Sequence, residues 1–297
     1  MSTGDAVIIG AGPAGISASI QLARHGVSPV VFEREEVGGL LRNAWRVENY
    51  PGFPQGISGL ELVGVLREQF ERTGAELVRD GVTVLDYREG NFAVETSSGG
   101  SRRFRAAIVA SGTRPRELPD IEIPPATEGR VLREALPLFS ARGVRVAIVG
   151  AGDAAFDYAL SLSRSNRVTI LTRSESPRCI PLLHELASEA ESIEVRRGTR
   201  LMSVAVGEDG ALGLALRAGG LAARLETDYL IFATGREPED TFLSEGLKRN
   251  AQRLEAAGEL AFAGDVRSGI FRQAAIACGQ GVMAGMKMAR RLGESTG

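Results

Sequence analysis

Cysteine, histidine and lysine are scarce in this chain. Its 297 residues include 2 Cys and 2 His, and Lys248 and Lys287 are the only lysines. Two cysteines exclude a disulfide scaffold and any four-cysteine metal centre. His25 and His184 add no spaced ligand set for zinc or iron, so no metal is expected. Charge of either sign is not in surplus: 35 basic and 37 acidic side chains give a net charge of −2. That balance leaves nothing to displace counterions from a phosphate backbone and excludes a general nucleic-acid binder. No apolar run approaches the ~20 residues that cross a bilayer, and no basic or apolar leader precedes the first apolar strand. The expected setting is therefore the cytoplasm, with no membrane partner. Aromatics are few at 5%, but 43% of the residues are hydrophobic, which is enough for two modest domains with cores of their own.

Glycine, by contrast, is abundant, with 37 residues, and its clusters reveal an internal duplication. One unit opens VIIGAGPAG at Val7 and closes IVASGTRP at Ile108 to Pro115; the other opens AIVGAGDAA at Ala147 and closes IFATGREP at Ile231 to Pro238. Each opening sets a short β-rich run, Ala6 to Ile9 or Val144 to Val149, before a Gly-x-Gly-x-x-Gly/Ala turn and a helix of small residues. A lone glycine cluster is a weak signal; set twice between strand and helix, it specifies a dinucleotide fold. Pro115, Pro119, Pro124, Pro125 and Pro238 mark connectors near residues 114–119 and 236–242. The final helix, Gln273 to Leu292, has no partner of its own and is expected to return to the first domain. The expected fold is α/β: two Rossmann-like three-layer nucleotide-binding domains, the second inserted into the first. The domains are expected at residues 1–115 with 239–297, and at 116–238.

In the first turn Gly10 makes the bend, Gly12 lets the backbone approach a pyrophosphate and Gly15 lets helix pack on strand; Pro13 and Ala14 start the helix. The helix start offers free N–H groups and a partial positive charge. Glu33 ends the next strand, Ser28 to Phe32, where a carboxylate accepts both hydroxyls of an unphosphorylated ribose. That favours FAD or NAD over NADP at this site.

The segments GGLLRNAWRVENYPGFP (Gly38 to Pro54), FAGDV (Phe262 to Val266) and FRQAAIACGQG (Phe271 to Gly281) resemble the thioredoxin-reductase-like flavoproteins over nearly the whole chain. The resemblance implies FAD at the first site, with Gly38, Gly39, Leu40 and Asn49 along the flavin and Gly264 and Asp265 at the ribityl chain. It also implies that Arg272, Gln273 and Ala274 open the last helix at the flavin pyrimidine edge. Arg34, Val82, Ser111 and Gly112 complete the expected FAD set. A helix N-terminus at that edge stabilises negative charge by about 0.3–2 kcal/mol. Gly279, Gly281 and Gly285 each cost a helix about 1 kcal/mol relative to Ala, so close packing is expected to compensate. A homodimer is the state that the resemblance implies.

The second turn repeats the phosphate logic with Gly150, Gly152, Asp153, Ala154 and Ala155, and Gly235 closes the unit. No acid ends its next strand, Arg167 to Leu171. The loop there is TRSESPR, in which Arg173 and Arg178 suit the charge-assisted recognition of a 2′-phosphate. NADPH is therefore favoured over NADH, although Ser174 stands where the family usually has another basic residue.

Thioredoxin reductases of this family carry a Cys-x-x-Cys pair just before the second turn, and the matching segment, Glu128 to Gly150, has no cysteine. Dithiol exchange needs an attacking and a resolving thiol. Cys179 reads as a small loop residue and Cys278 as packing. Ala14 occupies the place where the single-cysteine low-molecular-weight disulfide reductases keep their thiol. Gly152 to Ala159 is similar to the turn of the ferredoxin (flavodoxin)–NADP reductases built on the same scaffold, which pass electrons from flavin directly to a partner. The expected function is an FAD-dependent NAD(P)H oxidoreductase that delivers electrons without a protein dithiol, with a ferredoxin- or flavodoxin-like acceptor favoured. A flavin enzyme acting on a small molecule, with Glu134 as a weak base candidate more suited to a helix surface, and a non-catalytic flavoprotein subunit remain alternatives. No catalytic residue is assigned.

Overall fold

A computed structural model describes residues 3–117, 121–207 and 210–293; Pro119 of the first expected connector lies outside them. By its internal contacts the chain forms two units, Met1–Arg42 with Val47–Arg114 and Glu237–Gly297, and Asn43–Arg46 with Pro115–Arg236.

The first unit opens with β1 (Thr3–Ile9), α1 (Pro13–Arg24) and β2 (Val30–Phe32), followed by α2 (Gly59–Glu71) and β3 (Glu76–Val78). A hairpin of β4 (Val82–Arg88) and β5 (Asn91–Thr96) leads to β6 (Ser101–Val109). β1 runs parallel to both β2 and β6, and its core-facing residues Ala6, Val7, Ile8 and Ile9 are buried. Such a continuous apolar run belongs to a parallel strand covered on both faces. The connector strand β7 (Thr113–Pro115) follows.

In the second unit, β8 (Val131–Leu132), β9 (Arg145–Val149), α3 (Asp153–Ser163), β10 (Arg167–Leu171), α4 (Pro181–Glu189) and β11 (Ile193–Arg196) precede a meander of β12 (Thr199–Val206), β13 (Leu212–Ala218) and β14 (Leu221–Thr227); β15 (Tyr229–Phe232) closes the unit. Its parallel sheet has the order β11-β10-β9-β15-β8, and the antiparallel meander β12-β13-β14 forms a separate sheet. Leu201, Leu212, Leu214 and Leu216 of the meander share a core with Ala147, Leu171, Leu230 and Phe232 of the parallel sheet. On the other face Phe156, Ala159 and Leu162 of α3 pack on Val146, Ile148 and Ile170.

The chain returns through β16 (Arg236–Pro238), which pairs with β7, into α5 (Glu245–Ala256), β17 (Leu260–Phe262) and α6 (Ala274–Gly293). β17 adds to the first sheet beside β6, in parallel. Thus the C-terminal strand and helix do complete the first unit. A Cβ on Gly281 would lie 2.1 Å from the Ala14 carbonyl oxygen, and one on Gly285 2.9 Å from that of Ala18, so these glycines let α6 lie against α1. Gly279 differs from the expectation: nothing stands within 4 Å of its Cβ position. No helix among the described residues is long and apolar enough to cross a membrane.

Candidate nucleotide sites

Each unit ends its central strand in a glycine turn at a helix start that no side chain caps. Gly12 and Gly152 are the N-cap residues of α1 and α3, neither with a side-chain cap, whereas Ser58 and Ser244 cap α2 and α5. Beyond Gly12 and Gly152 a Cβ would meet nothing within 4 Å. Two helix starts with unclaimed N–H donors and open space above them fit phosphate. Below the first, space is closed: a Cβ on Gly10 (φ +100°) would sit 2.4 Å from the Ala110 carbonyl oxygen, and one on Gly15 1.9 Å from that of Gly10. Only glycine fits this strand-to-helix crossing.

In the first unit Glu33 follows β2, and its carboxylate accepts the Ala11 N–H at 2.7 Å and the Glu35 N–H at 2.9 Å. These bonds aim the carboxylate and leave two of its roughly four acceptor sites for a ribose. It lines a cleft of about 280 Å³ with Arg34, Val82 and Ser111 from the expected set, and with Ile9 at the end of β1. Asp80, Thr83, Glu239 and Thr241 also line it and were missed by sequence reasoning. Glu239 is only 8% exposed; Arg34 Nη1 donates to it at 3.3 Å and Thr241 Oγ1 at 2.6 Å. Ser111 Oγ donates to the Glu239 carbonyl at 2.6 Å, and Glu239 N–H to the Gly112 carbonyl at 3.1 Å. The only hint in sequence was Glu239's place directly after the Gly-Arg-Glu-Pro close.

The expected flavin-side residues also come together. Gly38 N–H donates to the Ala11 carbonyl at 2.8 Å, and Gly39 lies against Gly12, bringing this segment with Leu40 over the turn. Asn49 Nδ2 donates to Gln273 Oε1 at 2.8 Å, joining residues 224 apart, and Gln273 with Arg272 precedes Ala274, the first residue of α6. Gly264 N–H donates to Gln280 Oε1 at 2.7 Å, which fixes the turn that carries Asp265. Cys278 is buried, its thiol 3.7 Å from the Pro13 carbonyl, and Tyr50 beside it is pushed up to about 12, first by burial and then by the thiol.

In the second unit Arg178 N–H donates to the Ala151 carbonyl at 2.7 Å, folding the loop after β10 back across the turn. Asp153 Oδ1 accepts the Ile180 N–H at 2.9 Å, so Asp153 holds this loop in place. Arg173 and Arg178 are exposed and Ser174 half-buried. Arg197 and His184, which the sequence did not single out, add basic groups beside this loop. Arg197 Nη2 lies 3.1 Å from His184 Nε2, and Thr199 N–H bonds the Thr172 carbonyl at 2.8 Å. Gly235 adopts φ +112° beside Arg116. Burial pushes the Cys179 thiol up, which disfavours a reactive thiolate.

Glu134 is not a helix-surface charge. It follows β8 and accepts Asn43 Nδ2 at 2.9 Å and Arg236 Nη1 at 3.4 Å, while Asn43 Oδ1 accepts the Leu136 N–H at 3.0 Å. Nearby, Trp45 N–H donates to Asp157 at 3.1 Å, and burial raises that carboxyl to about 6.

Two uncapped glycine turns on parallel sheets, one beside the Glu33 carboxylate and one beside a basic loop, fit a protein built for two nucleotides. The family model for pyridine nucleotide-disulphide oxidoreductase matches residues 4–281, and the chain belongs to that family. It is 33% identical over 310 residues to the bifunctional thioredoxin reductase/thioredoxin of Mycobacterium leprae, covering 99% of this chain and 67% of that protein. It is 33% identical to the thioredoxin reductase of Streptomyces clavuligerus, covering 96% of this chain and 93% of that one. The crystal structure of Lactococcus lactis thioredoxin reductase superposes with a TM-score of 0.85 at 26% identity, over 98% of this chain and 100% of that one. The protein is an FAD-dependent pyridine nucleotide oxidoreductase, and the thioredoxin reductases of its family use FAD and NADPH.

Proposed function

We propose that this enzyme oxidises NADPH held in the second unit and passes the electrons through FAD held in the first unit directly to an acceptor, without a protein dithiol. The observation that carries the reading is the segment Glu128 to Gly150, which contains no cysteine where the resembling thioredoxin reductases keep their pair. Of the two thiols in the chain, Cys179 is raised by burial and Cys278 is packed in α6, so neither can attack a disulfide and be resolved by a neighbour. FAD, when bound, accepts a hydride and can release electrons singly or in pairs. The chain's own part is to bind and orient. Gly12 and α1 receive the pyrophosphate, Glu33 the ribose, and Arg272 to Ala274 set the start of α6 at the flavin. In the second unit Gly152 and α3 receive the pyrophosphate, and Arg173 and Arg178 the 2′-phosphate.

The favoured acceptor is a one-electron protein of the ferredoxin or flavodoxin kind, supported by the likeness of Gly152 to Ala159 to enzymes with that partner. The exposed Ile276, Val282, Met283 and Met286 of α6 and Leu60 and Val65 of α2 support a homodimer. Two unpaired thiols suit the reducing cytoplasm. The test is steady-state turnover of the yellow holoenzyme with NADPH, supplied in turn with ferredoxin, flavodoxin and thioredoxin. Reduction of ferredoxin or flavodoxin without reduction of thioredoxin is expected; robust thioredoxin reduction overturns the proposal.

A further inference from the structure

Arg133 is a half-buried cation with no counter-ion among the described residues, at the carboxyl-end edge of the second unit's sheet. It follows β8, whose register against β15 pairs Val131 with Leu230 and Leu132 with Ile231. The next row therefore sets Arg133 beside Phe232, and Phe232 in turn pairs with Val149, the residue before Gly150. Arg133, Phe232 and Val149 lie in one line across the carboxyl ends of β8, β15 and β9. With strands about 4.8 Å apart, that places the Arg133 backbone about 10 Å from the end of β9. Its guanidinium lies over the Phe232 ring, with Cζ 5.1 Å from the ring centroid, and Nη1 is buried without a hydrogen-bond partner. Burial alone lowers its pKa, with no carboxylate acting on it. A guanidinium does not shed its proton at working pH, so the buried Nη1 keeps a charged donor with no acceptor among the described residues. A buried charged donor left without an acceptor is unfavourable, and an anion would complete it.

The sheet topology says which anion. In open parallel sheets, nucleotides lie beyond the carboxyl ends of the strands where the strand order reverses. Here α3 leads from β9 to β10 on one side while β15 and β8 lie on the other, so the reversal falls between β9 and β15. The basic loop Thr172 to Arg178 follows β10. A dinucleotide with its adenosine end at that loop and its adenosine-side phosphate at α3 carries its second phosphate and nicotinamide half toward β15 and β8, the side on which Arg133 stands.

We infer that Arg133 binds the phosphate of the nicotinamide mononucleotide half of NADPH, an inference that rests on reading the second unit as the NADPH site. The test uses the full-length holoenzyme, titrated by calorimetry with NADP⁺ and separately with 2′,5′-ADP, which has the adenosine half and its phosphates only. Arg133→Gln should weaken NADP⁺ about tenfold, the low end for losing a charge-assisted hydrogen bond, and leave 2′,5′-ADP within about twofold. Arg133→Lys should restore part of the loss. Comparing two ligands on one sample cancels any loss of folded protein. If both ligands weaken together, or neither does, Arg133 acts structurally through Phe232 and the inference fails while the NADPH reading stands. If the wild-type protein binds neither ligand, the NADPH reading itself fails and takes the inference with it.

Discussion

Two glycines two residues apart in α6 should respond to alanine with opposite signs. At Gly281 the new methyl would lie 2.1 Å from the Ala14 carbonyl oxygen and 3.0 Å from Ser17 Cβ, so α6 must withdraw from α1 by about 1 Å to restore contact distance. The obstacle is backbone, which has no rotamer to change. Overpacking of this kind costs about 1–3 kcal/mol, against up to about 1 kcal/mol gained from helix propensity, for a net loss of about 1–2 kcal/mol. At Gly279 the methyl meets nothing within 4 Å, so the propensity gain of about 0.5–1 kcal/mol remains. The two variants should then differ by about 1.5–3 kcal/mol, or roughly 3–12 °C in Tm for a domain of this class. Because Ala14 belongs to the first turn of α1, Gly281→Ala should also loosen FAD, read as flavin lost on gel filtration, and Gly279→Ala should not. Equal melting temperatures for the two variants would refute the close α1–α6 contact.

Other expectations follow from single contacts. Glu33→Ala removes the acceptor aimed by Ala11 and Glu35 and should weaken FAD about 10- to 100-fold in reconstitution titrations of the apoprotein. Arg173→Ala and Arg178→Ala should each raise the KM for NADPH about tenfold while leaving that for NADH unchanged, as flavin reduction in stopped flow would show. Asp157 is raised from 3.8 to about 6 by burial. The native state therefore holds more protons than the unfolded chain between about pH 4 and 6, so stability from this group falls as pH rises through that window, by at most about 3 kcal/mol. Asp157→Asn, whose amide oxygen still accepts the Trp45 N–H, should raise Tm at pH 7.5 and change it little at pH 4; a variant less stable at pH 7.5 contradicts this.

The parts legible in sequence were those with local patterns. The glycine turns and the buried runs of β1 and β9 follow from spacing and apolar periodicity within one segment, and the return of the final helix from its having no partner within the duplicated pattern. Boundaries moved by a residue or two: β2 begins at Val30 rather than Ser28, because the residues before it have no parallel partner in the ladder. What sequence could not show depends on long-range side-chain bonds. Glu239 enters the cleft beside Glu33 from a segment 205 residues after Arg34. Asn43 and Trp45 bond to residues 91 and 112 positions away. No period or propensity encodes such pairs. Gly279 looked like its neighbours in composition, and only the angle around the helix separates its open face from the packed one.

The segment Asn43–Arg46 also limits how far this chain can be taken apart. Trp45 packs against the second unit's apolar cluster with Leu132, Phe139 and Leu183, yet it lies some 70 positions upstream of Pro115. An excised fragment beginning at Pro115 would leave a vacancy under α3, take the Trp45 N–H from Asp157 and leave Glu134 with Arg236 but without Asn43. Trp45 is also the only tryptophan in the chain, so intrinsic indole fluorescence reports on the second unit, against which it packs, and not on the one whose sequence surrounds it.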